Sequence, residues 1–524
     1  MRRLLILLAC ASLLAPALAA ASPRVLALPG PDAEALRLED KARDDDGPER
    51  FAWPHDLQLQ ADDGAGWDRL PDGSHRWQLD VQSPGSLSLC FGFDRFRLPW
   101  GGELRIVGQS GPERVYTAAD MQDHGQLWTP VVLGDAARLI LTLPAGHRDE
   151  HELRLVRVGR GYRFFGEPMD EKQGDCNIDV ICPEGEAWRK EIRSVGVYQL
   201  GASWKCTGVM VNNTARDETP YFLTAYHCDV AAGNAASVVL YWNFESPECG
   251  DLSGGSLADT QSGAIWRAGY PSTDMTLLEL IAPPDTSWHV TYAGWDRSST
   301  PAVSAVCIHH PGTDEKAISF ENDPLEPTGY TQYVVNPSFN HWRVVDWDLG
   351  TTEGGSSGSP LFNPQHRIVG QLHGGYAACG NDASDWYGRF DLSWAGGGTT
   401  ASQLAHWLDP AGLGSSYLNT LDPLDPDDPG EPEVPDVFAM HGVWGNPVKS
   451  GQTAVVRFDL PRAGHVKLTV FDVRGRRVAT LVDRTLEAAS HPIPWSSQGV
   501  AAGVYLLRLE ALGEEETRAI TVLR

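Results

Sequence analysis

Short apolar or alternating runs, separated by turn-forming residues, follow one another along the chain from residue 22 onwards. Ser86–Cys90 alternates polar and apolar side chains with the period of a half-buried strand, and Ala137–Leu143 is a second candidate. With 54 glycines and 36 prolines, the pattern is typical of strands joined by tight turns. We therefore predict a mainly β protein, with Ser402–Leu408 as the one short helix before residue 422.

Changes in composition divide the chain into regions. Residues 1–21 begin with Arg2 and Arg3, continue with an apolar stretch and end in small residues, which is the pattern of a secretory signal peptide. Residues 22–172 are strand-rich, and residues 173–421 form a block that contains most of the cysteines. Residues 422–436 are dense in Pro, Asp and Glu, so we expect an extended acidic linker.

The last region, residues 437–524, contains further strand-like runs separated by turn residues. These runs are Ala454–Leu460, Val466–Phe471 and Val504–Leu509. The pattern predicts a small β-sandwich after the linker.

The charge and the cysteines restrict the function. A formal net charge of −27 argues against a nucleic-acid partner, because phosphate binding needs clustered Lys and Arg. The signal predicts a secreted or cell-surface protein, and an oxidising compartment lets cysteines form disulfides. The sequence contains no CxxC pair, so it indicates neither a zinc site nor a thioredoxin-like site. We expect no metal and no organic cofactor.

Two segments carry side chains suited to proton transfer. His227 follows the apolar run Tyr221–Leu223 and precedes Cys228, which places it just after a buried strand, as a general base requires. Asp274 opens the apolar run Met275–Leu280, where a buried carboxylate can orient an imidazole. Each segment alone is equally compatible with a packed histidine or a solvated turn carboxylate.

A third segment, Gly354–Pro360, can hold a nucleophile. A tight turn in this glycine-rich stretch leaves the Oγ of Ser357 exposed, and the N–H groups of Gly355 and Ser357 can converge on one oxyanion. Gly/Ser stretches are often flexible linkers, but this one leads into Leu361-Phe362 and the strand-like Arg367–Leu372.

The order of these residues is that of the chymotrypsin-like serine proteases. We therefore predict peptide-bond hydrolysis with His227, Asp274 and Ser357 as the catalytic residues. A metal site at His309-His310 is disfavoured, because neighbouring residues of a strand point to opposite faces.

Residues 173–421 also resemble the bacterial lysyl endopeptidase family, a branch of the chymotrypsin-like proteases. The matching stretches run through nearly the whole block: Cys176–Gly185, Cys206–Gly208, Val211–Thr214, Tyr221–Cys228, Tyr241–Asn243, Ala293–Arg297, Ile308–Pro311, Gly354–Pro360 and Gly370–Gly375.

This resemblance implies two antiparallel six-stranded β-barrels with the active site between them. It also implies the disulfides Cys176–Cys379, Cys182–Cys249 and Cys206–Cys228. Cys307 has no family partner, so we expect a buried free thiol there rather than a bond with Cys90.

The resemblance extends to the substrate. Asp385 matches the specificity carboxylate of the family, which pairs with a cationic side chain in the S1 pocket, the subsite for the residue before the scissile bond. His373 and Gly374 match the strand that binds substrate backbone. The family stacks an aromatic ring near this histidine, in a stretch that aligns poorly here. The candidates are Tyr330, Tyr333, Trp342 and Trp347.

The junction Lys172-Gln173 lies close to the start of the mature chains in the family, and a lysine-cleaving enzyme could release itself there. Ser356 precedes the nucleophile and is not the aspartate that pairs with a new N-terminus in trypsin-like zymogens. We therefore predict that residues 22–172 are an inhibitory or chaperoning propeptide.

Residues 437–524 resemble the FlgD-like or type IX secretion sorting domains of bacterial surface proteins. The resemblance is carried by Asn446-Pro447, Val466–Arg476, Trp495, Gly499–Tyr505 and Arg524. It implies export or attachment through the bacterial secretion machinery.

The sequence thus predicts a monomeric secreted serine endopeptidase that cleaves protein or peptide substrates on the C-terminal side of lysine. Two alternatives remain: a protease that also accepts arginine, and a non-catalytic surface binding protein on the same fold. A binding protein needs none of the three catalytic side chains, so their joint presence argues against it.

Overall fold

The computed structural model describes residues 23–43, 47–62, 66–163, 174–410, 412–425, 438–444, 447–451, 453–486 and 489–524. The signal peptide, the junction Lys172-Gln173, Asn446 and most of the linker lie outside these ranges. Among the described residues, no helix is both long enough and apolar enough to cross a membrane.

The N-terminal region folds as a twisted sheet of ten strands, with one helix, α1 (Ala33–Ala42), beside it. The strands of this region are β1 (Arg24–Ala27), β2 (Glu49–Arg50), β3 (Ala52–Gln60), β4 (Trp67–Arg69), β5 (His75–Gln82), β6 (Ser88–Arg97), β7 (Glu103–Ser110), β8 (Arg114–Thr117), β9 (Leu127–Trp128), β10 (Val132–Leu143) and β11 (Glu152–Gly161). All except β2 belong to this sheet, in the central order β1-β5-β10-β6-β11-β3.

Two curled antiparallel sheets follow. The first contains β12 (Val195–Leu200), β13 (Trp204–Val211), β14 (Tyr221–Ala225), β15 (Val238–Tyr241), β16 (Thr260–Ser262), β17 (Ala264–Tyr270) and β18 (Met275–Leu280), preceded by the short helix α2 (Arg189–Ile192). Its strand order is β16-β15-β12-β13-β14-β18-β17.

The second curled sheet is antiparallel along its main path. It contains β19 (Trp295–Asp296), β20 (Ala305–His309), β21 (Ala317–Glu321), β22 (Glu326–Thr328), β23 (His341–Val344), β24 (Pro360–Phe362), β25 (Ile368–Gly375), β26 (Asp385–Arg389) and β27 (Tyr417–Leu418), with helices α3 (Phe390–Ala395) and α4 (Ala405–Leu408). Its main path is β21-β20-β24-β25-β26-β23-β22, with β19 paired parallel to β25.

The C-terminal region forms two further sheets. Its strands are β28 (Ala439–Trp444), β29 (Val448–Lys449), β30 (Thr453–Leu460), β31 (Gly464–Asp472), β32 (Arg477–Leu486), β33 (Ala489–Ser496), β34 (Gly503–Ala511) and β35 (Glu514–Leu523). They pair in the orders β28-β30-β33 and β29-β35-β34-β31-β32 around one hydrophobic core. The runs expected from the sequence lie within β30, β31 and β34.

The two curled sheets share a hydrophobic core. Leu223 and Leu277 of the first sheet lie in one buried cluster with Ile308, Phe362 and Ile368 of the second. Residues of β14 and β18 read as nearly unbroken apolar runs, because both faces of these strands are covered. The shared core brings the strand ends that carry the candidate residues to one place.

The mainly β prediction is confirmed, with two corrections of detail. Each curled sheet has seven strands along its main path rather than six, because short edge strands such as β16 and β22 extend it. The prediction of a single helix before residue 422 is wrong, because α1 has ten residues. Only Leu36 of α1 is buried, so the helix makes little contact with a hydrophobic core.

The N-terminal sheet packs directly on the first curled sheet. Phe51 and Trp128 share a buried cluster with Val197 and Tyr241. Polar groups cross the same contact: the Val131 N–H donates to the Tyr241 hydroxyl at 2.9 Å. Since buried polar groups need partners, this contact is a specific fit and not only an apolar one.

Two adjacent histidines on and after β20 lie fully buried. His309 Nδ1 is 2.8 Å from the Ser356 hydroxyl oxygen, and its Nε2 is 3.1 Å from the Ser319 hydroxyl oxygen. His310 Nδ1 instead lies 2.9 Å from the Asp314 carbonyl oxygen. The two rings therefore have separate partners, and His309 supports the loop that contains Ser356.

His309 makes a testable contribution to acid sensitivity. Burial lowers the pKa of His309 to about 3 from an ordinary 6.5, so between these values the unfolded chain binds a proton that the folded protein excludes. Stability is lost as pH falls through this window, by up to about 1.4 kcal/mol per pH unit for one group. We expect His309→Gln to make denaturation midpoints less pH-dependent between about pH 6.5 and about pH 4.

The measurement is chemical denaturation of the Ser357→Ala protein, which removes self-digestion as a complication. The exposed His406 provides a matched control, because His406→Gln should leave the slope unchanged. An unchanged slope in His309→Gln would contradict the assignment.

Candidate active site

His227 lies in a single helical turn, Tyr226–Cys228, directly after β14. The disulfide Cys206–Cys228 ties this turn to β13. The Tyr226 N–H donates to the Asp274 carbonyl oxygen at 2.9 Å. The histidine is therefore held from both sides, and its ring remains half-buried.

Asp274 lies immediately before β18, with its backbone in the left-handed region at φ 53°. Its carboxylate accepts two hydrogen bonds from one residue: the His227 N–H donates to Oδ1 at 2.8 Å, and His227 Nδ1 lies 2.8 Å from Oδ2. Because a carboxylate can only accept, Nδ1 carries the proton and the lone pair of a neutral ring is on Nε2. This is the tautomer that a general base needs.

The serine loop, Gly354–Pro360, packs against β13 and β14. The Thr207 N–H of β13 donates to the Ser357 carbonyl oxygen at 2.9 Å. Gly358 has φ +85°, and a Cβ there would lie 2.3 Å from both the Thr207 carbonyl oxygen and the Thr224 hydroxyl oxygen. Only glycine permits this approach, which places Ser357 next to the turn that carries His227.

The backbone of the loop also presents free donors. Neighbouring amides are occupied, since the Ser356 N–H donates to Glu353 and the Gly358 N–H to Leu372. For the part of the chain that the structure describes, the N–H groups of Gly355 and Ser357 donate to no protein acceptor. Two available donors on one tight turn match the requirement for binding an oxyanion.

Asp385 opens β26 and is buried. Its Oδ2 accepts hydrogen bonds from the Thr352 hydroxyl at 2.6 Å and from Trp347 Nε1 at 2.8 Å. Burial raises the pKa of the Asp385 carboxyl above its ordinary value. Its Oδ1 lies beside Gly375, the β25 residue paired with it, where a Cβ would come within 2.1 Å.

His373 of β25 lies between the His227–Asp274 pair and an aromatic ring. Its ring stacks on His227 at a centroid distance of 5.4 Å, and its Nε2 is 4.0 Å from Asp274 Oδ1. Tyr330 stacks on the other face at 3.6 Å. Potential ligand atoms of His227, Asp274 and His373 all lie within 4.8 Å of one another.

The four aromatic candidates differ in the residues that they contact. Tyr330 is the ring that stacks on His373, whereas Trp347 binds Asp385 and Trp342 donates to the Val369 carbonyl oxygen. Tyr333 contacts Trp386 edge-on.

One further residue, His341, was not singled out from the sequence. It is buried beside His373, with 2.9 Å between His341 Nε2 and His373 Nδ1. No motif marks it, because the contact depends on the pairing of β23 with β26.

The three disulfides expected from the family resemblance are present: Cys176–Cys379, Cys182–Cys249 and Cys206–Cys228. Cys307 and Cys90 are buried free thiols, and burial raises the pKa of each to about 12. The prediction for Cys307 is confirmed, and neither thiol is suited to nucleophilic chemistry.

Comparisons with known proteins agree with this geometry. Residues 31–156 match the model for the lysyl endopeptidase N-terminal domain, and residues 171–388 match the model for the lysyl endopeptidase C-terminal domain. The chain is similar to a lysyl endopeptidase of Pseudomonas aeruginosa, with 28% identity over 359 residues that cover 62% of this chain and 74% of the relative.

Solved structures show only weak overall likeness. The active form of the Rv3671c protease from M. tuberculosis has 16% identity and a TM-score of 0.26, covering 46% of this chain and 92% of that chain. Deg5 has 11% identity and a TM-score of 0.26, covering 40% of this chain and 89% of that chain. No part of the assignment depends on either structure.

The assignment depends instead on two domain models of one family, matched in order along residues 31–388, and on the Pseudomonas relative. These findings show that residues 31–388 are similar to lysyl endopeptidases, and they support a protease.

Proposed function

We propose that this protein is a secreted serine endopeptidase that cleaves peptide bonds on the C-terminal side of lysine. The observation that carries the proposal is the double hydrogen bond from His227 to the buried Asp274, next to a serine loop packed on the same strands. This arrangement fixes the tautomer of the base and leaves Nε2 for the nucleophile.

In the proposed reaction, Ser357 Oγ attacks the scissile carbonyl carbon while His227 Nε2 takes the hydroxyl proton. The N–H groups of Gly355 and Ser357 bind the resulting oxyanion. The C–N bond then breaks as His227 gives its proton to the leaving amine, and water releases the acyl group by the reverse sequence. Asp274 stabilises the imidazolium formed in each step.

Asp385 is the proposed specificity residue. Two donors already occupy its Oδ2, so a lysine ammonium of the substrate could pair with the carboxylate and complete its hydrogen bonds. A neutral side chain would leave the buried carboxylate uncompensated, which is costly. The name of the Pseudomonas relative and the family models favour lysine over arginine.

Hydrolysis of p-nitroanilides of lysine, arginine and glutamate tests both parts of the proposal. We expect lysine to be the best substrate and Ser357→Ala to lower kcat on the order of a millionfold. Asp385→Asn keeps a group that can still bond to Thr352 and Trp347 but removes the charge, so kcat/KM for lysine should fall roughly 100- to 1,000-fold.

The exposed Asp382 lies in the loop directly before β26 and offers a control. Asp382→Asn should leave every hydrolysis rate unchanged. Wild-type turnover retained by Ser357→Ala would refute the protease. Unchanged preference in Asp385→Asn would refute the pocket. Equal rates for lysine and arginine would favour the broader specificity, and absence of any turnover would favour the binding protein.

We also propose that residues 1–21 are a signal peptide, residues 22–172 a propeptide, residues 173–421 the protease domain, residues 422–436 a linker and residues 437–524 a sorting domain used by the secretion machinery. The mature protease would act as a monomer. The contacts around the processing junction support the propeptide: the Gly174 N–H donates to the Glu353 carboxylate at 3.1 Å, and Glu49 lies beside Gly354. The start of the proposed protease domain is therefore held against the serine loop.

Mapping the N-terminus of the secreted protein tests the propeptide. We expect the wild-type chain to begin at Gln173 and the Ser357→Ala chain to retain residues before it, because release depends on the protein's own activity. Lys172→Gln should block cleavage at this bond in an otherwise active protein. A mature N-terminus well upstream of Gln173 would contradict the proposal.

A further inference from the structure

We propose that His341 is a positioning residue that fixes the ring tautomer of His373 and so keeps Asp274 available to His227. The role in catalysis rests on the proposed function; the tautomer itself does not. His341 is buried at the start of β23 and contacts His373 through its Nε2. It has no direct contact with the catalytic pair among the hydrogen bonds of the described residues.

The chain of hydrogen bonds starts at the turn before Asp274. The side-chain nitrogen of Asn340 donates to the Ser272 carbonyl oxygen, and since a carbonyl can only accept, this contact fixes which way the Asn340 amide points. Asn340 Oδ1 then faces His341 Nδ1 at 2.9 Å. An amide oxygen can only accept, so His341 Nδ1 carries a proton.

The second nitrogen of His341 transmits this constraint. Burial lowers the pKa of His341 to about 3, so the ring is neutral at working pH and its Nε2 has a lone pair. His373 Nδ1 lies 2.9 Å from that lone pair and must be the donor. A neutral His373 therefore carries its proton on Nδ1 and its lone pair on Nε2.

The tautomer matters because His373 Nε2 points to the catalytic carboxylate. Nε2 lies 4.0 Å from Asp274 Oδ1, which already accepts the His227 N–H. A proton on Nε2 would turn an N–H dipole toward Asp274, and its attraction for the carboxylate would weaken the support of His227. Among the described residues, His341, His227, Asp274 and Tyr330 face His373, and His341 bonds to its Nδ1.

Nitrogen NMR reads the tautomer directly. Histidine-labelled Ser357→Ala protein is examined at about pH 8, where neutral imidazole dominates, and His373→Gln identifies the relevant signals. We expect the His373 Nδ1 resonance in the protonated range and the Nε2 resonance in the unprotonated range. A proton on Nε2, or on both nitrogens, would overturn the proposal.

Variants then connect the tautomer to rate. His341→Leu removes the acceptor, so His373 should move toward the Nε2–H form and kcat/KM for a lysine p-nitroanilide should fall roughly 2- to 10-fold, the value of one hydrogen bond. In the pH profile of kcat/KM for His341→Leu, the acidic side should shift to lower pH, because Asp274 stabilises the His227 imidazolium less. His341→Gln offers a side-chain oxygen at the Nε2 position and should restore the wild-type tautomer and profile.

The outcomes separate the two proposals. The exposed His406 serves as a control, and His406→Leu should change neither the His373 tautomer nor the pH profile of kcat/KM. A wild-type tautomer and an unshifted pH profile in His341→Leu would refute the positioning role. The wild-type spectrum tests the tautomer even if His341→Leu does not fold. The expected spectrum in a protein without peptidase activity would refute the proposed function but not the tautomer.

Discussion

The pairing of His227 with Asp274 is the constraint on which the rest of the site depends. One carboxylate accepts both the backbone N–H and the ring nitrogen of the same histidine, so position and tautomer are fixed together. This requires β14 and β18 to be neighbours in register, with Ala225 opposite Met275. The site also requires a glycine at position 358, because the serine loop approaches β13 and β14 too closely there for any side chain. The backbone arrangement thus comes first, and the chemistry follows from it.

The sequence predicted those parts of the site that are marked by a local pattern of apolar residues or glycines. An apolar run before His227, an apolar run after Asp274 and a glycine-rich turn at Ser357 each reflect one strand end, and the structure brings these segments together. Family resemblance supplied the disulfides, which spacing alone leaves undetermined. The local sequence pattern could not predict contacts that depend on the pairing of strands far apart in the sequence. Tyr330 lies outside the strands and stacks on His373, whereas the position of His341 beside His373 follows from the β23–β26 ladder. The helix α1 was also missed, although its apolar and polar residues do segregate with a helical period.

The N-terminal sheet adds a second constraint, because it packs on the first curled sheet and is not a structurally separate unit. It contributes Phe51 and Trp128 to a core shared with Val197 and Tyr241 of the first curled sheet, and β2 extends that sheet by pairing with β13. Apolar surface on β12 and β15 is thereby covered in the folded protein. Removal of the N-terminal region would expose this surface. The same contact brings Glu49 to the edge of the serine loop.

The most direct test of the central claim is covalent labelling by an organofluorophosphonate, followed by mass spectrometry of the peptides. Attack by an activated serine on phosphorus expels fluoride and leaves a stable ester, and an ordinary surface serine does not react at a comparable rate. The account predicts one adduct, on Ser357, that is lost when His227→Gln removes the base. Labelling of a different serine, or equal labelling with and without His227, would contradict it.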